Sequence, residues 1–213
     1  MPARVYVVAS IKGGAGKSTL VACLAVHWLM AGKRVALLDT DPNKTLTRWH
    51  SKGGALAEAT LETELDEHAI QQRVAKLRAK HDFVLVDCAG FANQAMVFAI
   101  GCADLVLIPA MADEASVYEA VRTRRVVESA SAMARRSISP RTVLVRTKHR
   151  SGVARHARAQ LEALGADPLG NELADRSVFQ EASFFGSSPS QIAPSSIAAA
   201  EVSRLAAEIV RLR

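Results

Sequence analysis

Residues 12–19 read Lys-Gly-Gly-Ala-Gly-Lys-Ser-Thr, between the apolar run Val5-Tyr6-Val7-Val8-Ala9 and the helix-compatible stretch Leu20–Met30. A strand, a glycine-rich loop and a helix start are the parts of a phosphate cradle. Glycines at 13, 14 and 16 let several backbone N–H groups converge on one anion. The following helix aims its positive dipole end at the same point. The order predicts that Gly13, Gly14, Ala15, Gly16 and Thr19 wrap the phosphates, that Lys17 reaches the β/γ-phosphates, and that the Ser18 hydroxyl ligates Mg²⁺. A plain flexible turn between a core strand and a core helix would require neither the lysine nor the hydroxyl.

Two more apolar runs end in acids. Residues 34–43 read Arg-Val-Ala-Leu-Leu-Asp-Thr-Asp-Pro-Asn, and residues 82–90 read Asp-Phe-Val-Leu-Val-Asp-Cys-Ala-Gly. In an open parallel sheet ligands sit at the carboxyl ends of the strands, so Asp39, Asp41 and Asp87 are placed to converge on the cradle. Carboxylates beside a phosphate repel it unless a cation intervenes, which implies Mg²⁺. One aspartate at a strand end is often only a turn residue. Three at the ends of two successive strands, after a phosphate loop, point to a site.

The loop lacks the usual first glycine, with Ile11 in its place, and carries an additional lysine, Lys12. In this it resembles the deviant Walker A ATPases, the ParA and MinD family, whose signature is Lys-Gly-Gly-x-Gly-Lys-Ser/Thr. Asp39 to Asn43 is similar to that family's Asp-x-Asp-Pro-Gln/Asn element, and Arg176-Ser-Val-Phe-Gln-Glu-Ala-Ser-Phe-Phe-Gly-Ser resembles, more weakly, a stretch preceding its last helix. The resemblance covers nearly the whole chain. It implies ATP and Mg²⁺ as ligands and hydrolysis of ATP to ADP and phosphate. Among the residues it implies a catalytic set of Lys12, Lys17 and Asp41, with Lys12 reaching across a symmetric dimer and Asp41 orienting the attacking water. Asp39 then lies near the hydrated metal, and Asp87 is the Walker B acid.

The chain has 213 residues, 49% of them hydrophobic, which suits a single ATPase domain over residues 1–213. No apolar run is long enough to span a bilayer, and the first strand begins too early to leave room for a secretory signal. A cytoplasmic, nucleoid-associated protein is expected. Cys23, Cys88 and Cys102 show no paired spacing and read as small buried residues of a reducing compartment. The nitrogenase iron protein shares this nucleotide fold but uses a bridging cluster, for which cysteine placement rather than number is decisive.

Strands are expected near 4–10, 34–39, 83–87, 105–109, 142–147 and 169–173. Helices are expected near 17–31, 43–53, 67–80, 92–102, 115–136, 152–165, 176–184 and 195–212, with 59–63 as a candidate edge strand and 186–191 as a loop. This rhythm predicts an α/β fold: a mostly parallel sheet with helices on both faces, in keeping with a P-loop NTPase.

Charge is segregated. The formal net charge is +6, yet the window Arg122–Arg158 holds ten arginines and Lys148 against the single acid Glu128, a local +10 that leaves −4 elsewhere. Such a block is the footprint of a polyanion surface. Few aromatics accompany it, which favours duplex phosphates over stacked single strands. Arg150, Arg155 and Arg158 are the expected DNA contacts, exposed by a turn at Gly152, while Arg146 is placed at the nucleotide base. The resemblance then implies an ATP-bound homodimer that binds double-stranded DNA nonspecifically. A ParB-like or other adaptor would stimulate hydrolysis and release, driving plasmid or chromosome partition or cargo positioning. No helix-turn-helix precedes the first strand, so operator binding is not expected. The alternatives are a MinD-like membrane-cycling ATPase, with residues 195–212 as an amphipathic tail, and a cobyrinate-type amidoligase, which normally carries a further glutamine-hydrolysing domain. Docking of that last helix on the sheet, with no membrane partner, is the favoured reading.

Overall fold

Alternate residues of the inner strands enter opposite cores. Val5 and Val7, Ala36 and Leu38, and Val84 and Val86 pack into one apolar cluster. Tyr6 and Val8, Val35 and Leu37, and Leu85 pack into the other. A strand buried on both faces must be apolar at every position, which is why these segments read as continuous hydrophobic runs.

The computed structural model describes residues 3–148 and 151–212. Its strands are β1 (Arg4–Val8), β2 (Val35–Asp39), β3 (Thr60–Thr63), β4 (Phe83–Asp87), β5 (Leu105–Ala110), β6 (Ser139–Thr147) and β7 (Leu173–Ala174). They form a sheet in the order β3-β2-β4-β1-β5-β6-β7, with every pairing parallel. Helices α1 (Lys17–Met30), α2 (Thr45–His50) and α9 (Ile197–Arg211) lie over the second cluster. Helices α3 (Glu67–Arg78), α4 (Gln94–Gly101), α5 (Glu114–Ala134) and α6 (Gly152–Ala163) lie over the first. Two short helices, α7 (Ser177–Phe184) and α8 (Pro189–Ile192), precede α9.

Three elements differ from expectation. The helix expected over 43–53 shrinks to α2, because Lys44 and Gly53 both sit at positive φ and bound the helical turns. The last strand is only Leu173–Ala174, with a single bridge from Thr142 to Pro168 ahead of it. The segment expected to be a loop at 186–191 forms α8, its N-terminus capped by Ser188 with Pro189 in the first turn. Elsewhere local chemistry and structure agree. The candidate edge strand is β3, paired with β2. Gly32, at φ +71°, closes α1 in the left-handed conformation that glycine adopts without a Cβ penalty.

Candidate nucleotide site

Strands β1, β2 and β4 are neighbours, so their carboxyl ends bring the loop Gly13–Gly16 over Asp39, Asp41 and Asp87. Asp39 and Asp87 are direct partners in the β2–β4 register. Gly14 and Gly16 sit at φ +72° and +88°, which side chains rarely adopt. The loop after β4 passes so close that a Cβ on Gly90 would lie 2.9 Å from the Gly13 Cα.

Lys17 is 6% exposed, and its Nζ donates to the Lys12 carbonyl at 3.3 Å. Burial pushes its ammonium below the usual lysine value, opposed by the charges of Asp87 and Asp41. The Ser18 hydroxyl donates to Asp87 Oδ2 at 2.6 Å, while Asp87 Oδ1 is buried with no hydrogen-bond partner among the described residues. Burial raises the Asp87 carboxyl to about 7, helped by the nearby charges of Asp39 and Asp41 and opposed by Ser18 and Lys17. A buried orphan carboxylate oxygen beside a serine hydroxyl fits a hard cation, which takes oxygen ligands. Ser18 and Asp87 are the residues that would hold Mg²⁺.

Asp39 is already engaged. Its Oδ1 accepts the Asp41 N–H at 3.1 Å, and its Oδ2 accepts the Thr47 N–H and hydroxyl at 3.0 and 2.7 Å. It anchors the first turn of α2, so its expected part near the metal is that of a neighbour to the hydration shell. Asp41 is 8% exposed, accepts from the Asn43 N–H at 2.8 Å, and faces the cradle cavity.

That cavity, of about 440 Å³, is lined by every residue from Gly13 to Thr19 together with Asp41, Arg48, Trp49 and Arg146. A second cavity of about 390 Å³ shares Gly16, Thr19, Trp49 and Arg146 with it and continues along α7. Arg146 holds φ +52° where the β6–β7 register shifts between Val145 and Thr147. A non-glycine in this region costs on the order of 1–3 kcal/mol and persists only where its surroundings enforce it. The strand-end position of Arg146 was legible in the sequence, whereas Trp49 and the α7 wall were not. Trp49 lies six residues past Asn43 with no motif around it.

Lys12 faces away from the cradle. Its Nζ bonds Ser116 Oγ at 2.8 Å and pairs with Asp113 Oδ1 at 3.4 Å, and it borders a shallow hollow with Ile11, Phe91 and Arg122.

The arginine block is corrected by the fold. Acids outside the block return to it: Arg136 pairs with Asp104, Arg141 with Asp167 and Arg158 with Glu172, while Arg122 takes its helix neighbour Glu119 and Arg124 takes Glu128 within the block. Arg158, expected to be exposed, is half-buried and also bonds the Leu169 carbonyl. Gly152 opens α6 under a Ser151 cap, rather than forming a separate turn. Arg155 is exposed and, like Arg125, Arg135, Arg146 and Lys148, has no ion pair among the described residues. Arg150 lies outside the described residues.

Cys23 and Cys88 are fully buried, with burial raising both thiols to about 12, and among the described residues no group of three or more His, Cys, Asp or Glu is arranged to hold a metal. No described helix is long and apolar enough to cross a membrane.

Comparison with known proteins places this geometry. The VirC1 protein family matches residues 3–206. The maintenance of carboxysome distribution protein A of Halothiobacillus neapolitanus is 30% identical over 211 residues, 95% of this chain and 94% of its own length. Among solved structures, apo McdA from Cyanothece superposes with a TM-score of 0.81 at 18% identity, over 97% of this chain and 98% of that one. MinD from Pyrococcus horikoshii, complexed with Mg-ADP, gives 0.76 at 18% identity over 98% and 96%. The chain belongs to the VirC1 family, within the ParA/MinD-type ATPases.

Proposed function

We propose that this chain is a Mg²⁺-dependent ATPase whose ATP-bound form is a homodimer that binds double-stranded DNA without sequence preference and positions a cargo. The observation that carries the proposal is the Lys17–Ser18–Asp87 arrangement: a buried ammonium for phosphate beside a buried carboxylate with one oxygen unpartnered among the described residues. Both make physical sense once a metal–triphosphate fills the cradle. Bound there, Mg²⁺ would neutralise phosphate charge. Lys17 would bind the phosphates, Ser18 and Asp87 would hold the ion, Asp41 would orient water, and Arg146 would stand at the neck towards the base.

Lys12 supports a dimer, since it lies outside its own cradle on an open face. Arg155 supports a phosphate-binding face, completed when two subunits double the patch and each gains from the other's effective concentration. Membrane cycling draws no support from α9, whose Ala198, Val202, Leu205, Ala206 and Ile209 are buried in the core. The cargo reading rests on the carboxysome-distribution relative. A plasmid or chromosome region presented by a ParB-like adaptor is the same cycle with a different load.

The test is size-exclusion chromatography with a nonhydrolysable ATP analogue and Mg²⁺, followed by duplex gel shift and vesicle pelleting of the same sample. A dimer that shifts DNA and ignores lipid is expected. A monomer, or a protein that pellets with vesicles and leaves DNA free, would overturn the proposal.

A further inference from the structure

The two cavities meet at one aromatic side chain. Trp49 lines both the phosphate cradle and the adjoining 390 Å³ cavity, whose wall also includes Phe179 and Phe184 of α7. It is one of two tryptophans, and the pair are used differently. Trp28 is 4% exposed and stacked on Phe83 with ring centroids 4.1 Å apart. Trp49 is only half-buried, packed on the core on one side and facing open volume on the other.

Its helix is fixed at both ends. Thr47 is bound to Asp39 through two hydrogen bonds. Past the helix, Lys52 Nζ donates to the Ser183 carbonyl at 2.8 Å and lies 5.5 Å from the Phe184 ring centroid. The turn at Gly186, at φ +58°, approaches so closely that a Cβ there would lie 2.3 Å from the Trp49 carbonyl oxygen. The backbone that carries the indole is therefore pinned at α2 and at the end of α7, which lowers the cost of ordering it when a ligand arrives.

We propose that Trp49 is a nucleobase-contacting residue: the base of the triphosphate held in the cradle lies in the 390 Å³ cavity with a face against the indole. This rests on the reading of the cradle as a triphosphate site. The occupant follows from continuity, because the cavity opens from the cradle at Gly16 and Thr19, and a triphosphate seated there carries its nucleoside outward past them. Stacking accepts any base by its π-face, so Trp49 supplies affinity while polar groups elsewhere select the base.

Calorimetry of wild type, W49A and W49F with MgATP and with magnesium tripolyphosphate, which has the phosphates and no base, separates the outcomes. W49A should bind ATP about 10-fold more weakly, the scale of one lost base stack, and bind tripolyphosphate like wild type. W49F should recover most of the ATP affinity. Equal losses for both ligands in W49A would make Trp49 a merely structural residue, and no loss for ATP would remove the base from this wall. Either result overturns the inference while leaving the cradle intact. Wild type binding neither ligand would instead sink the cradle reading and the inference together. Intrinsic fluorescence gives an independent readout. ATP should change the emission of wild type and leave W49F, which keeps only Trp28, unchanged, whereas the same change in W49F would contradict the proposal.

Discussion

Lys12 Nζ lies 2.8 Å from Ser116 Oγ, which ties the phosphate loop to the first turn of α5 within a single subunit. Asp113, the N-cap of that helix, adds an ion pair at 3.4 Å between half-exposed side chains. Such exposed pairs are worth about 0–1 kcal/mol. The tether is weak enough for Lys12 to leave it when a better anion is presented. Ser116→Ala should therefore shift dimer formation to a lower ATP concentration, and Lys12→Ala should lose the ATP-dependent dimer while retaining nucleotide binding. Analytical ultracentrifugation across an ATP-analogue titration checks both. An unchanged dimerisation midpoint in Ser116→Ala would show that the tether has no role.

Lys17→Ala removes the buried cation of the cradle. Truncating one member of a desolvated charged contact costs about 2–5 kcal/mol, roughly a 30-fold or greater loss of ATP affinity. Near-wild-type affinity by calorimetry would contradict the assignment of the cradle.

Asp41→Ala should separate binding from turnover. The Asp41 carboxylate lines the cradle cavity, and its one described side-chain hydrogen bond accepts from the Asn43 N–H, not from the loop. The variant is expected to bind ATP, hydrolyse it poorly and accumulate as dimer. Normal phosphate release in a steady-state assay would remove Asp41 from the reaction.

Asp87 makes the free protein sensitive to pH. Its carboxyl titrates near 7 in the fold against an ordinary 3.8. A raised acid binds its proton more tightly folded than unfolded. Its contribution is therefore fully present below 3.8 and is lost as pH rises through about 7. Nucleotide-free protein should melt at a lower temperature at pH 8 than at pH 5.5 on account of this group. Asp87→Asn should flatten that slope by differential scanning calorimetry. A steeper or unchanged slope in Asp87→Asn would place the sensitivity elsewhere.

Motifs whose spacing is local were legible in the sequence. Gly13–Thr19 and the aspartates at 39, 41 and 87 needed only strand ends and a parallel sheet to meet. What the sequence hid was set by contacts between distant segments. The arginine block looked uncompensated because Asp104, Asp167 and Glu172 stand outside it, and folding returns them to Arg136, Arg141 and Arg158. Trp49 was invisible as a site residue because its meaning depends on α7, more than a hundred residues later. Helix α2 is shorter than expected at both ends, through positive φ at Lys44 before it and at Gly53 after it, the first of which carries no compositional signal.

The central claim is tested most directly by a filter-binding salt titration of duplex DNA with a nonhydrolysable ATP analogue. Wild type is compared with Arg155→Glu, Arg150→Glu and their combination. Arg158→Glu serves as a contrast, since breaking its contacts with Glu172 and the Leu169 carbonyl should lower stability rather than act on DNA alone. Binding should require nucleotide, ignore DNA sequence, and fall with salt with a slope of about −0.9 per phosphate neutralised. The double variant should show a shallower slope with basal ATPase intact. Equal slopes in wild type and double variant would put the DNA face elsewhere, and no nucleotide-dependent binding by wild type would contradict the account.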